Sequence, residues 1–249
     1  MRNIIDRTGE EKTNDFGSKI VIKEYRGSKD VDVYFPKYGW TKYNSDYKEF
    51  NNGHIKCPYE PRIFGVGYIG DGIYSTLNNK KAYSTWRFML QRCYDPKYIQ
   101  KHPTYKGCRV YDKWHNFQVF SDWFQSNYYE IEGQLMNLDK DILCKGNKIY
   151  SPSACVFTPQ RINTLFTKCD GSRGNYPVGV YYHRKKYNSH CNINGKRKHL
   201  GCFDTPEEAF QVYKKFKEKY IKEIAEEYKN VIPQKLYEAM LRYEVDIDD

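Results

Sequence analysis

The chain has 249 residues and a formal net charge of +10, and its 25 tyrosines dominate a 17% aromatic content. That length suits one large domain or two to three small ones. The positive balance points to a polyanionic partner, and tyrosine offers a ring to pack and a hydroxyl to bond a phosphate or base. No apolar run is long enough for a transmembrane helix, so no membrane association is expected. The opening MRNIIDRTGEEKTND has no apolar core of a signal peptide. The eight cysteines form no C-x-x-C pair and no zinc-module spacing with histidine. A reducing cytoplasm with mostly buried free thiols is therefore expected.

In chain order, residues 1–78 read as a small β-rich module. IVIKEY and DVDVYF are short β-rich runs in which Val31, Val33 and Phe35 alternate toward one face, and Gly and Pro punctuate the rest. GVGYIG at 65–70 fits G-x-G-x-x-G only formally. It runs into DGIY, a turn and not a helix opening, so a turn with close backbone packing is expected there. Residues 79–168 change character. Trp86, Met89, Leu90 and Cys93 recur at helical spacing with Ser84 as the expected N-cap, and Trp114, Phe117, Phe120 and Phe124 repeat the pattern. These aromatics read as core. His102 and His115 read as loop or packing residues. A polar linker is expected at KCDGSRGN, residues 168–175.

Residues 174–249 form the third expected module. YPVGVYYHRKKYNSHCNINGKRKHLGCF reads as three strands, with Asn194-Gly195 a strong hairpin turn. A helix follows, with Thr205 as N-cap, Pro206 at N1, and Glu207 and Glu208 at the positive dipole end. Ala209, Tyr213, Phe216, Tyr220 and Ile224 would cover one sheet face, and the tail adds a short helix with an acidic tip. From Gly171 to Phe203 there are seven Lys and Arg and no acid. A basic three-stranded sheet can enter a major groove, its turn cations meeting phosphates and its mid-strand residues meeting base edges.

Gly179-Val180, Tyr187, Leu200-Gly201-Cys202-Phe203 and Thr205 with Glu207-Glu208-Ala209 resemble the Apetala/ethylene-response-factor DNA-binding domain over about fifty residues. The resemblance implies double-stranded DNA read through the sheet. The candidate contacts are Tyr181, His183, Arg184, Lys185, Lys186, Asn188, His190, Lys196, Arg197 and Lys198. Tyr187 stands where that family commonly has Trp, so its target sequence does not transfer.

NLDKDILCKGNKIYSPSACVFTPQRIN, residues 137–163, reads as a compact ββα unit. Together with W-x-x-M-x-x-R-C at Trp86–Cys93 and W-x-x-F-x-x-F at Trp114–Phe120, it resembles phage-type HNH homing endonucleases over roughly eighty residues. The resemblance implies an Asp and an Asn holding one divalent ion, a His base and an orienting Asn. Asp139 and Asn163 match the metal positions, for Mg²⁺ or Mn²⁺. Lys140 stands at the base position and Ala154 at the orienting one. Lysine needs a large downward pKa shift to act as a base, and the flanking acids oppose it. Asp141 is the substitute candidate.

The expected fold class is α+β: the N-terminal β-module, the central HNH-like ββα unit with flanking helices, and a C-terminal three-stranded antiparallel sheet on a helix. The expected function is binding of double-stranded DNA, with Mg-dependent nicking or cleavage in a phage- or mobile-element-encoded endonuclease. The alternatives are a DNA-binding regulator without catalysis and an RNA binder that stacks bases on the tyrosine-rich sheet.

Overall fold

A computed structural model of the protein describes residues 5–167 and 176–247. The expected linker at 168–175 lies outside the described residues. The fold is α+β, and the chain divides into two compact units, Met1–Ser126 with Lys148–Pro152 and Asn127–Asn147 with Ser153–Asp249. No described helix is long and apolar enough to cross a membrane.

The first unit opens with a four-stranded antiparallel meander: β1 (Glu11–Thr13), β2 (Lys19–Gly27), β3 (Asp30–Phe35) and β4 (Trp40–Ser45). The period of two puts Ile20 and Ile22 of β2, and Val31, Val33 and Phe35 of β3, into one core that Phe50 of α1 (Tyr47–Asn51), Ile55 and Cys57 complete. Asp32 is also buried, and its carboxylate is matched by Arg26 at 2.7 and 3.1 Å and by the Asn44 N–H at 3.1 Å. Three helices follow: α2 (Lys80–Tyr94), α3 (Pro96–Lys101) and α4 (Phe117–Asn127), with β5 (Arg109–Val110) before α4. Trp86, Met89, Leu90 and Cys93 are buried, and the Trp86 indole donates to the Trp114 carbonyl at 2.6 Å.

One local expectation, the cap of α2, resolves differently, and one, the GVGYIG turn, holds. Ser84 is not the N-cap: α2 starts a turn earlier because Ala82 is also core, and the Ser84 hydroxyl donates back to the Lys80 carbonyl at 2.7 Å. The GVGYIG segment is a turn packed close to α2. A Cβ on Gly67 would lie 2.4 Å from Leu90 Cδ1, so only glycine admits that approach.

The second unit begins with β6 (Met136–Asp139), paired antiparallel with β8 (Val156–Pro159), and β8 runs directly into α5 (Gln160–Leu165). This is the ββα order. Between the two strands in sequence, β7 (Ile149–Tyr150) belongs to the first unit and pairs in parallel with β5. The C-terminal sheet has the order β11 (Lys196–Phe203), β10 (Lys186–Ile193), β9 (Val180–His183) and is antiparallel throughout. Helix α6 (Pro206–Tyr228) is capped by the Thr205 hydroxyl, which accepts the Glu208 N–H at 3.2 Å, and α7 (Gln234–Arg242) follows.

Helix α6 serves two cores in series. Ala209, Phe210 and Tyr213 pack with Val180 and Cys191 of the sheet. Ile221, Ile224, Ala225 and Tyr228 join Ile142, Val156 and Ile162 of the ββα region and Leu236 and Met240 of α7. Ile224 thus leaves the sheet it was expected to cover, because a 23-residue helix, about 34 Å long at 1.5 Å per residue, outruns it, while Tyr220 packs on the second core and donates its hydroxyl to Asn194 of the sheet turn at 3.3 Å. The expected boundary between central and C-terminal modules therefore falls inside one unit.

Truncating a fully buried branched side chain costs about 2–5 kcal/mol. Ile221→Ala is expected to lower the denaturation midpoint accordingly. The ββα hairpin and the C-terminal sheet should lose amide-exchange protection together, whereas independent opening of the two would contradict coupling of the two cores through α6.

Candidate functional site

The ββα hairpin presents Asp139 as the last residue of β6. Its Oδ1 accepts the N–H groups of Asp141 and Ile142, both at 2.7 Å, so the carboxylate closes the turn that leaves the strand. Burial holds the Asp139 carboxyl above the usual carboxylate range. The Ile142 and Asp141 N–H groups pull it down, and the neighbouring Asp141 charge adds to the rise.

Lys140 is buried, and its ammonium donates to both Asp141 oxygens at 2.7 and 2.6 Å and to the Asn147 carbonyl at 2.8 Å. The Asn147 amide returns a bond to the Lys140 carbonyl at 2.8 Å. This reciprocal clasp closes the 140–147 loop. It also involves the two residues expected to carry the chemistry, since the Lys140 ammonium is held by Asp141 through both carboxylate oxygens. Asn147 was missed as a site residue because the sequence marks it only as part of a Gly-Asn turn. Asn163 sits half-exposed in the middle of α5, and the structure gives its amide no hydrogen bond to residues 139–141. Ala154 is buried. His102 and His115 belong to the first unit, where His102 stacks on Tyr98 with ring centres 4.4 Å apart and His115 Nε2 meets the Tyr94 hydroxyl at 3.1 Å.

Hard-cation chemistry fits Asp139, a half-buried carboxylate whose second oxygen takes no hydrogen bond among the described residues. Asp141 is exposed and already engaged with Lys140. Among the described residues no group of three or more His, Cys, Asp or Glu is placed to hold a metal, so a cation here would draw on Asp139, an amide such as that of Asn163, and water.

The C-terminal sheet has an unlike pair of faces. Val180, Ser189 and Cys191 are buried on the α6 side. Alternation puts Tyr181, His183 and Lys186 on the other side, and the rings agree with that grouping: Tyr181 and His190 meet edge-on at 5.1 Å, and the Arg197 guanidinium lies 5.7 Å from the Tyr181 ring centre. Burial, and then Arg197, push the His190 imidazole below its ordinary value, so it presents a neutral ring at neutral pH. A cleft of about 380 Å³ opens beside this cluster, bordered by Thr164 of α5, Tyr181, His190, Asn192, Arg197 and Lys217.

Three expected DNA-facing residues are not presented on that face. Lys198 is on the α6 side, opposite Cys191, with its ammonium 4.7 Å from the Phe216 ring, and alternation gives Lys196 the same side at the rim of the Asn194-Gly195 turn. Asn188 is buried. Its amide donates to the His183 and Lys186 carbonyls at 3.3 and 3.2 Å, and its oxygen accepts from the Cys202 thiol at 3.1 Å. It braces the first hairpin turn from the Tyr181 side of the sheet, where it is covered and not presented to a ligand. Lys186 is ion-paired with Asp204.

That first turn is Arg184-Lys185, both left-handed at φ 50° and 62°, and it matches Asn194-Gly195 at 49° and 76° in the same sheet. The second turn uses the residues that favour this conformation. The first puts two exposed cations there, at a strain of about 1–2 kcal/mol per residue.

Because the folded Asp139 carboxyl titrates above its unfolded value, its charged form opposes folding once the pH exceeds the folded titration. Asp139→Asn keeps the acceptor for Asp141 and Ile142 and removes that charge. The variant is expected to have a higher melting temperature than the parent at neutral pH. The gain should shrink as pH falls through the folded titration and vanish below the ordinary value near 3.8. A lower midpoint at neutral pH would overturn this account. Comparison with protein-family models, with curated proteins and with solved structures finds no match to this chain.

Proposed function

We propose that the protein binds double-stranded DNA through the C-terminal sheet, in the cytoplasm of a bacterial host and encoded by a phage or mobile element. The observation that carries this reading is the sheet face turned away from α6. It gathers Tyr181, His183, His190 and Arg197, is flanked by the Arg184-Lys185 turn, and includes no acidic residue in β9, β10 or β11. Cations supply sequence-independent attraction to the phosphate backbone, while neutral histidine and tyrosine offer directional hydrogen bonds to base edges. The strained turn supports the reading further. Strain of this kind is retained where side-chain identity matters more than stability.

A second reading adds phosphodiester cleavage and is favoured by one observation, the half-buried Asp139 carboxylate, which burial holds above the usual carboxylate range and which has an oxygen left over after bonding the turn N–H groups. A Mg²⁺ or Mn²⁺ ion, held by Asp139 and Asn163, would supply Lewis-acid stabilisation of phosphoryl charge. In this chain Asp139 would bind and orient, while the Lys140–Asp141–Asn147 clasp keeps the loop in place. With Lys140 and Asp141 paired to each other, proton removal from water has no dedicated group, so catalysis by this chain would be slow. Binding without catalysis is the simpler reading.

Binding to a labelled duplex is expected to weaken steeply with salt, and a flat log–log plot would sink nucleic-acid binding. Replacing Arg184-Lys185 by Asn-Gly is expected to raise the melting temperature while the salt slope becomes shallower by about 0.9 for each phosphate no longer neutralised. A rise in stability with unchanged affinity would remove the turn from the interface. Incubating supercoiled plasmid with Mg²⁺ or Mn²⁺ separates the two readings: nicking that disappears in Asp139→Ala supports cleavage, and intact plasmid supports binding alone.

A further inference from the structure

The first unit holds a separate concentration of positive charge that the sheet does not use. From Pro96 to Tyr111 the chain contains Lys97, Lys101, Lys106 and Arg109 and no Asp or Glu, and all four are exposed. Lys97 and Lys101 lie four residues apart on one side of α3. Lys106 and Arg109 follow the 3-10 turn at Pro103–Tyr105, and Arg109 begins β5. Lys148, just ahead of the paired strand β7, donates to the Thr104 carbonyl at 3.0 Å and so joins the same region. Among the described residues none of these five cations forms an ion pair. The flanking Asp95 is engaged as the cap of α3, accepting the Lys97 N–H at 3.0 Å and the Gln91 amide at 3.2 Å.

At the base of this surface stands Arg92. Its guanidinium is half-buried, 5.7 Å from the Tyr105 ring centre, and set against the phenols of Tyr150 and Tyr105 with no carboxylate among its described partners. Tyr98 stacks with His102 and lies 5.9 Å from Tyr105, which lines the region with rings. A withdrawn guanidinium without a counter-ion favours an anion, and guanidinium geometry suits phosphate. Exposed lysines spread over three successive elements suit a repeating anion better than a single small one.

We propose that this surface is a second docking face for the phosphate backbone of double-stranded DNA, so that each of the two units binds the polyanion. The inference rests on the nucleic-acid reading above and assigns a different set of residues. Two linked basic surfaces would raise overall affinity without new specificity, since bonds to phosphate position the duplex and do not read its sequence.

The test uses the full chain, a short fluorescein-labelled duplex and anisotropy titrations across salt concentrations. Lys101→Glu with Lys106→Glu changes exposed side chains and is expected to leave the melting temperature unchanged. It should weaken binding equally for unrelated duplex sequences and flatten the salt slope by about 0.9 for each phosphate no longer neutralised. The same charge change on the N-terminal meander, Lys37→Glu with Lys42→Glu, should have a clearly smaller effect, and an equal effect would overturn the assignment by tracing it to net charge. If the parent binds and the Arg184-Lys185 replacement weakens it while Lys101→Glu with Lys106→Glu does not, this inference fails and the sheet reading stands. The reverse pattern overturns the sheet reading and upholds this surface. No binding by the parent overturns both.

Discussion

Helix α6 carries two apolar stripes end to end, and the second unit depends on both. Its first turns bury Ala209, Phe210 and Tyr213 against a sheet too small to form a core alone. Its last turns bury Ile221, Ile224 and Ala225 against Val156 and Ile162, where the ββα hairpin has only four-residue strands and a six-residue helix to offer. Joined by one helix, the two cores place residues 139–147, 153–163 and 180–203 in one compact unit.

The same packing explains the electrostatics of the hairpin. Drawing Ile142 into the helix core pulls the 139–142 turn inward with it, and Asp139 and Lys140 lose solvent. A buried ammonium needs acceptors, and Lys140 finds three in Asp141 and Asn147. Asp139 finds two N–H donors and the nearby Lys140 charge, which do not offset the burial that disfavours its charged form. The hairpin thus keeps the ββα order while its lysine is tied into the 140–147 loop.

Positive charge is distributed by a different rule. The cations of the C-terminal sheet divide between its two faces and its turns, because side chains alternate in a strand. A count of seven basic residues therefore overstates what one face can present. The first unit adds a second group of cations along α3, the 3-10 turn and β5, where no regular pattern announces it.

Much of this was legible in the residues themselves. The alternation of Val31, Val33 and Phe35, the Asn194-Gly195 turn, and the Thr205-Pro206-Glu207-Glu208 helix start depend on interactions within a few residues, so local chemistry determines them. The ββα order and the α+β class followed from the same local signals. What only tertiary structure decided involves partners far apart in the chain. The division of α6 between two cores, the turning of Asn188 inward beneath the Arg184-Lys185 turn, the pairing of Lys140 with Asp141 and Asn147, and the meeting of Lys148 with Thr104 across 44 residues have no periodic signature. Burial and hydrogen-bond satisfaction assign those partners, and both are properties of the folded arrangement and not of any segment within it.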